Sequence, residues 1–308
     1  MTRFGDFRPL CTDTPSYTWC NLFYRQLKDN NSALLQSPSI PSISAPVGVN
    51  PVCGIERAGQ NGSLGNIANV IACGLSIFLA MGLVFLVSKR KAAVGRVEFR
   101  YFLILYLLTL PFQLLTNGGL LEQGSTALVA LTSIHAGLVA ALFWALLANG
   151  LVATQVVEDG TFSSLLPFGI FTVLFFAVTT YISFDVALVI TDTIGRPDGD
   201  PRDLHSIPLF VLTSIWPGAA ALLYFLLMTY IVLVVLREVK PMVYYAISAV
   251  LFVLSQLAWF LLGRVVCRGS NRKVDGSFIA TVLETAAVSM LYLAWRSITE
   301  ENWDEEYY

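Results

Sequence analysis

The sequence predicts an all-α, polytopic membrane protein: a seven-transmembrane-helix bundle over residues 66–296, preceded by a tail at 1–65 and followed by a short acidic end at 297–308. Three observations carry this prediction. Hydrophobic residues make up 56% of the 308-residue chain and charged residues only 13%, against about 25% charged in soluble domains. Mean hydropathy is +0.67. A water-soluble fold so poor in charge could not cover its own surface, whereas a bilayer removes that requirement. Finally, the apolar residues gather into seven runs, each near the ~20 residues that cross a hydrocarbon core of about 30 Å.

The runs are Asn66–Val87, Phe99–Leu115, Ala127–Val152, Leu165–Ile190, Ile207–Leu236, Met242–Val265 and Phe278–Trp295. Backbone groups in lipid must be paired within the segment, so each run is a helix; the alternating segments of about 10 residues that mark a β-barrel are absent. The fifth run is long and contains Pro208 and Pro217, which predicts a late start, a tilt or a kink.

Residues 1–20 lack an apolar core and carry Arg3, Asp6, Arg8 and Asp13, so no cleavable leader is expected. Ser37–Pro51 is rich in proline and serine and reads as an extended linker. After the first run come Lys89, Arg90, Lys91 and Arg96, with Arg100 just beyond. The positive-inside rule places this cluster in the cytosol, which puts the N-terminal tail in the lumen and, after seven crossings, the C-terminus in the cytosol. From Arg57 onward the count is nearly even, eight basic residues on the cytosolic side against seven on the other, so the orientation rests on the first loop and not on the total.

Cys73 lies within the first run and reads as a small packing residue. Cys11, Cys20 and Cys53 of the tail and Cys267 of the sixth connection fall on the same side of a seven-span protein. An oxidising compartment there allows two disulfides in any of three pairings, or free thiols. The triplets beginning at Asn30 and Asn61 fit the glycosylation sequon, Asn61 lying close to the first run.

Asp185 in the fourth run and Glu284 in the seventh are expected as intramembrane polar groups, either in an ion or proton pathway or as hydrogen-bonded packing groups between helices. His135, near the start of the third run, is expected at a helix contact rather than as a ligand. Gly137, Ala141, Ala145 and Asn149 recur every four residues along one face of that run. Such a stripe lets helices approach closely in lipid, within the bundle or against a partner. HExxH, GxSxG, GxxxxGK[ST] and CxxC motifs are all absent, so no catalytic constellation is expected. The seventh run has no lysine for a retinal Schiff base, and neither a DRY-like nor an NPxxY-like motif occurs where a receptor would place it. Net charge is −2, which gives no sign of nucleic-acid binding.

Several segments together resemble the fungal chitin synthase export chaperones, seven-span proteins of the endoplasmic reticulum. They are Phe4–Cys20 (FGDFRPLCTDTPSYTWC), then Cys53, Ala93–Tyr106 (AVGRVEFRYFLILY), Phe143–Gly150 (FWALLANG), Val156–Thr161 (VVEDGT), Val265–Gly269 (VVCRG), Asp275-Gly276 and the acidic end. The resemblance implies a non-enzymatic protein without a cofactor. It would bind a chitin synthase in the membrane, aid its folding and permit its export for cell-wall chitin synthesis, with export-coat machinery as a further partner of the cytosolic end. On this reading the first loop and the VVEDGT turn lie together on the cytosolic face and contact the client through Arg96, Glu98, Glu158, Asp159 and Gly160. The plainer reading is that Glu158, Asp159 and Gly160 only terminate the third helix. The alternatives in function are a seven-span receptor and a small-solute or proton transporter using Glu284 and Asp185.

Overall fold

The computed structural model describes residues 3–30, 35, 47–49, 51–56, 58, 64–90, 93–156, 158–191, 194 and 204–300. Two short helices form in the tail, α1 (Arg8–Asp13) and α2 (Asn21–Asn30), linked through a 3-10 turn at Thr18–Cys20. Seven helices long and apolar enough to cross a membrane follow: α3 (Ile67–Lys89), α4 (Arg96–Asn117), α5 (Thr126–Ala153), α6 (Phe162–Leu188), α7 (Ile207–Val235), α8 (Lys240–Gly269) and α9 (Gly276–Glu300). They correspond one to one with the seven apolar runs.

Helix α7 begins at Ile207, because Pro208 falls in the first turn, where a missing N–H costs nothing. A π turn at Val211–Ile215 immediately precedes Pro217, and further π turns occupy Ile231–Val235 and Ala258–Leu262. Proline removes one rung of the i to i−4 ladder, and a π turn accommodates the shifted register. Helix α8 continues past Val265 to Gly269, which puts Cys267 on its last turn; the N–H of Arg272 then closes on the Cys267 carbonyl at 2.8 Å.

Helix α5 is the most buried of the seven and contacts α4, α6 and α7, while α9 lies against α3 and α8. The small-residue stripe of α5 faces inward: Gly137, Ala141 and Ala145 are buried, and a side chain at Gly137 would lie 2.7 Å from the Phe176 carbonyl of α6. Large side chains project outward from α3, α6, α7 and α8, among them Leu75, Phe78, Val173, Leu222 and Leu261. A bilayer would solvate them.

The tail is part of the packed structure. Phe7, Trp19, Leu22 and Leu27 form a buried cluster with Val129 of α5, Val186 of α6 and Leu209 of α7. It covers the ends of the helices as a cap.

Candidate functional site

Four arrangements of polar side chains stand out. The first ties the tail to the bundle. Thr18 donates to Asn117 Oδ1 at 2.7 Å, Phe7 N–H donates to the Leu204 carbonyl at 2.7 Å, and Gln26 donates to the Val186 carbonyl. Trp19 packs on the His135 ring with centroids 5.2 Å apart, and His135 Nδ1 lies 3.4 Å from Thr116 Oγ1 of α4, which places His135 at a helix contact. Cys11 is joined to Cys20, and Cys53 to Cys267, the second bridge spanning 214 residues. Cys73 is free and buried. Tyr17 reaches between two helices, its hydroxyl 3.4 Å from Ser214 Oγ on α7 and its ring 5.7 Å from Phe260 on α8. Burial pushes the Tyr17 hydroxyl up to about 12, opposed in part by the Ser214 hydrogen bond.

The second arrangement sits where the tail meets α3 and α9. Asp275 precedes α9 and caps it, Oδ1 accepting from Ser277 N–H at 3.1 Å. Asn66, at the start of α3, donates to Ser277 Oγ at 3.0 Å and lies 3.4 Å from Asp275 Oδ2. All three are buried. Burial holds the Asp275 carboxyl above the usual carboxylate range, against the hydrogen bonds from Ser16, Ser277 and Phe278 that favour its charged form.

The third lies at the opposite end of the bundle. Glu98 is fully buried in the first turn of α4. Its Oε1 accepts from Gly160 N–H at 2.9 Å and from Ser164 Oγ at 2.6 Å. Reciprocally, Asp159 Oδ2 accepts from Gly95 N–H at 2.8 Å. Gly95 and Gly160 have φ of 64° and 67°, conformations that glycine adopts without steric cost. Asn149, the end of the α5 stripe, donates to the Glu98 and Ala145 carbonyls. Trp295 of α9 donates to the Val94 carbonyl at 3.0 Å and stacks on Phe99. The first loop and the 158–160 turn are thereby locked together.

The fourth runs through the helices. Thr281 donates to Asn69 at 3.0 Å and Gln113 to Thr281 at 2.8 Å; Tyr106 and Thr285 are 2.7 Å apart, and Thr285 donates to Ser76 at 2.8 Å. This seam joins α3, α4 and α9. Beside it, Gln256 of α8 donates to Glu284 Oε1 at 3.2 Å.

Two expectations are corrected. Glu98 cannot serve as a client contact, because its carboxylate turns inward and holds the loop; Glu158, Asp159 and Gly160 are exposed, and Arg96 is partly exposed. The turn serves the start of α6 rather than the end of the third helix. Asp185 lies toward the end of its helix. Helix α6 ends at Leu188, and Val189 turns left-handed at φ 52°. Asp185 therefore sits in the last turn, its Oδ1 accepting from Thr191 N–H at 2.6 Å. Asp185 and Glu284 serve separate elements. The side chain of Asn30, and Asn61 altogether, lie outside the described residues. Among the described residues no group of His, Cys, Asp and Glu is placed to hold a metal ion.

Sequence reasoning missed Gln256 and Tyr17 as bridging residues. It also missed the burial of Glu98, although a signal was present: Glu98, Phe102, Tyr106, Thr109 and Gln113 recur at spacings of four, four, three and four, the buried face of one helix.

The chitin synthase export chaperone family model matches residues 3–307. Proteins named chitin synthase export chaperone align over most of their length. That of Kluyveromyces lactis is 28% identical, covering 97% of this chain and 93% of the relative. That of Aspergillus clavatus is 27% identical, covering 97% and 84%. That of Neurospora crassa is 26% identical, covering 98% and 78%. No solved structure matches. With a seven-helix membrane architecture and a family match from end to end, this chain belongs to the chitin synthase export chaperones.

Proposed function

We propose that this chaperone binds a chitin synthase in the endoplasmic reticulum membrane, holds it in a folded, unaggregated state and releases it for export, doing no chemistry of its own. The observation that carries the reading is the family match over residues 3–307. The tail lies in the lumen and the C-terminus in the cytosol. Two observations support this orientation: both cysteine pairs lie at the capped end of the bundle, as an oxidising lumen requires, and the basic first loop lies at the other end. Cysteine pairing and the Asp275 cluster keep the cap seated, and Asn30 and Asn61 are glycan acceptors on that side.

On the cytosolic face the contact surface is made by Arg96, Glu158, Asp159 and Gly160. The exposed Val156 and Phe162 flank the turn, and Glu98 presents it rigidly from beneath. The acidic end engages export-coat machinery from the same face. Affinity purification of the full chain from fungal membranes tests the reading. A chitin synthase should co-elute, and a preparation free of it under mild detergent would reject the proposal.

A further inference from the structure

Helices α7 and α8 draw close beside the turn that joins them, where the Tyr224 and Tyr245 rings meet at 6.2 Å. Away from that turn they separate. At the far end the tail's Tyr17 stands between them, with Ser214 on one side and Phe260 on the other, and Pro15 lies beside Gly263 of α8. The two helices thus leave a lateral cleft between them, bounded by tyrosines at both ends and backed by Phe143 of α5, whose ring lies 5.9 Å from that of Phe252.

Its α8 wall follows from helical spacing. Tyr245, Ala249, Phe252, Gln256 and Phe260 recur at intervals of four, three, four and four, so they share one face. Ala249, Phe252, Gln256 and Phe260 are all only partly buried. On α7 the matching flank carries Ser214, Gly218, Ala221 and Phe225 at the same kind of spacing. Gly218 is exposed, and a side chain added there would meet nothing within 4 Å.

A carboxyl group stands at the back of this cleft. Glu284 is eight residues into α9, about 12 Å from its start at 1.5 Å per residue. It accepts from Gln256 Nε2 and remains partly exposed. No lysine or arginine occupies the middle of any span. An acid at this depth is costly, and such groups normally face a polar partner. Gln256 supplies one donor and Ser255 of α8 lies within reach as a second, and a carboxyl has acceptor capacity for a further one.

We propose that the α7–α8 cleft receives a transmembrane helix of the client, and that the Glu284–Gln256 pair meets a hydrogen-bond-donating side chain on it: lysine, arginine, asparagine, glutamine, serine or threonine. The inference rests on the chaperone reading above and adds where the client docks. A helix exposing such a donor to lipid before its own partners assemble is a species that aggregates, and a borrowed acceptor covers it until they do.

The test uses the full chain in fungal membranes together with its synthase. A photo-crosslinking residue is placed at Ala249, in the cleft, or at Val173, on the outward face of α6. The cleft position should give an adduct with the synthase several-fold above the α6 position. Glu284→Leu should lower co-purified synthase about three-fold or more, the effect of losing an interhelical hydrogen bond in lipid, and Glu284→Gln should retain most of it. Equal adducts from the two positions, a lipid-only adduct at Ala249, or synthase recovered at the wild-type level with Glu284→Leu would overturn the docking site while leaving the chaperone reading intact. Should Glu284→Leu fail to fold, the crosslinks in the otherwise unaltered chain decide alone. A wild-type chain that recovers no synthase would overturn both.

Discussion

Glu98 and Gly160, sixty-two residues apart, are joined by a 2.9 Å hydrogen bond from the glycine N–H to a carboxylate with no exposed surface. Because Ser164 donates to the same oxygen, one buried side chain fixes both the first loop and the entry to α6. Glu98→Ala should leave the buried Ser164 hydroxyl without its acceptor, a loss of about 1–3 kcal/mol, and free the exposed Gly160 N–H to water. Thermal unfolding of the purified chain in detergent would show it as a lowered Tm. Glu98→Gln, which keeps an acceptor, should lose less.

Cys53 and Cys267 close a span of 214 residues. Cys53→Ser should loosen the cap at a cost of about 2–5 kcal/mol, the range for a native disulfide. Limited proteolysis of permeabilised membranes should then cleave the α1–α2 segment of the variant faster than that of the wild type.

Gly137 of α5 sits directly against α6. A methyl group there would lie 2.7 Å from the Phe176 carbonyl, which is backbone and cannot swing aside. Gly137→Ala should cost about 1–3 kcal/mol by overpacking, read as a lower Tm, whereas Gly169→Ala, with open space around it, should leave Tm unchanged.

Asp275 gives a dependence on pH. Its carboxyl is held above the ordinary value by burial, so the folded state holds the proton more tightly than the unfolded chain does. The stability it contributes is fully present below the unfolded pKa of about 3.9 and declines as pH rises through the raised folded value. Asp275→Asn should remove that decline, so the ratio of variant to wild-type stability should rise with pH above 4 in thermal melts.

The fold was legible because lipid imposes one rule on every span: each apolar run had to be a helix. The ends of the runs were less so. The fourth stays apolar through Ile190, and nothing in that composition marks the left-handed turn at Val189 that brings Asp185 to a helix end. The order of the cap was hidden for a different reason. Trp19 against His135 and Tyr17 against Ser214 and Phe260 are contacts between distant segments, and periodicity reports only on neighbours within one element. Cysteine pairing is likewise set by which chain ends the bundle brings together. At the loop lock, adjacency was readable from seven crossings, but the direction in which Glu98 points required the helical phase of α4.

The most direct test of the account is where the synthase goes when the chaperone is absent. In a fungal strain lacking this chain, fluorescently tagged chitin synthase should remain in the endoplasmic reticulum, cell-wall chitin should fall, and restoring the chain should return both. Synthase reaching the cell surface at normal levels without it would contradict the central claim.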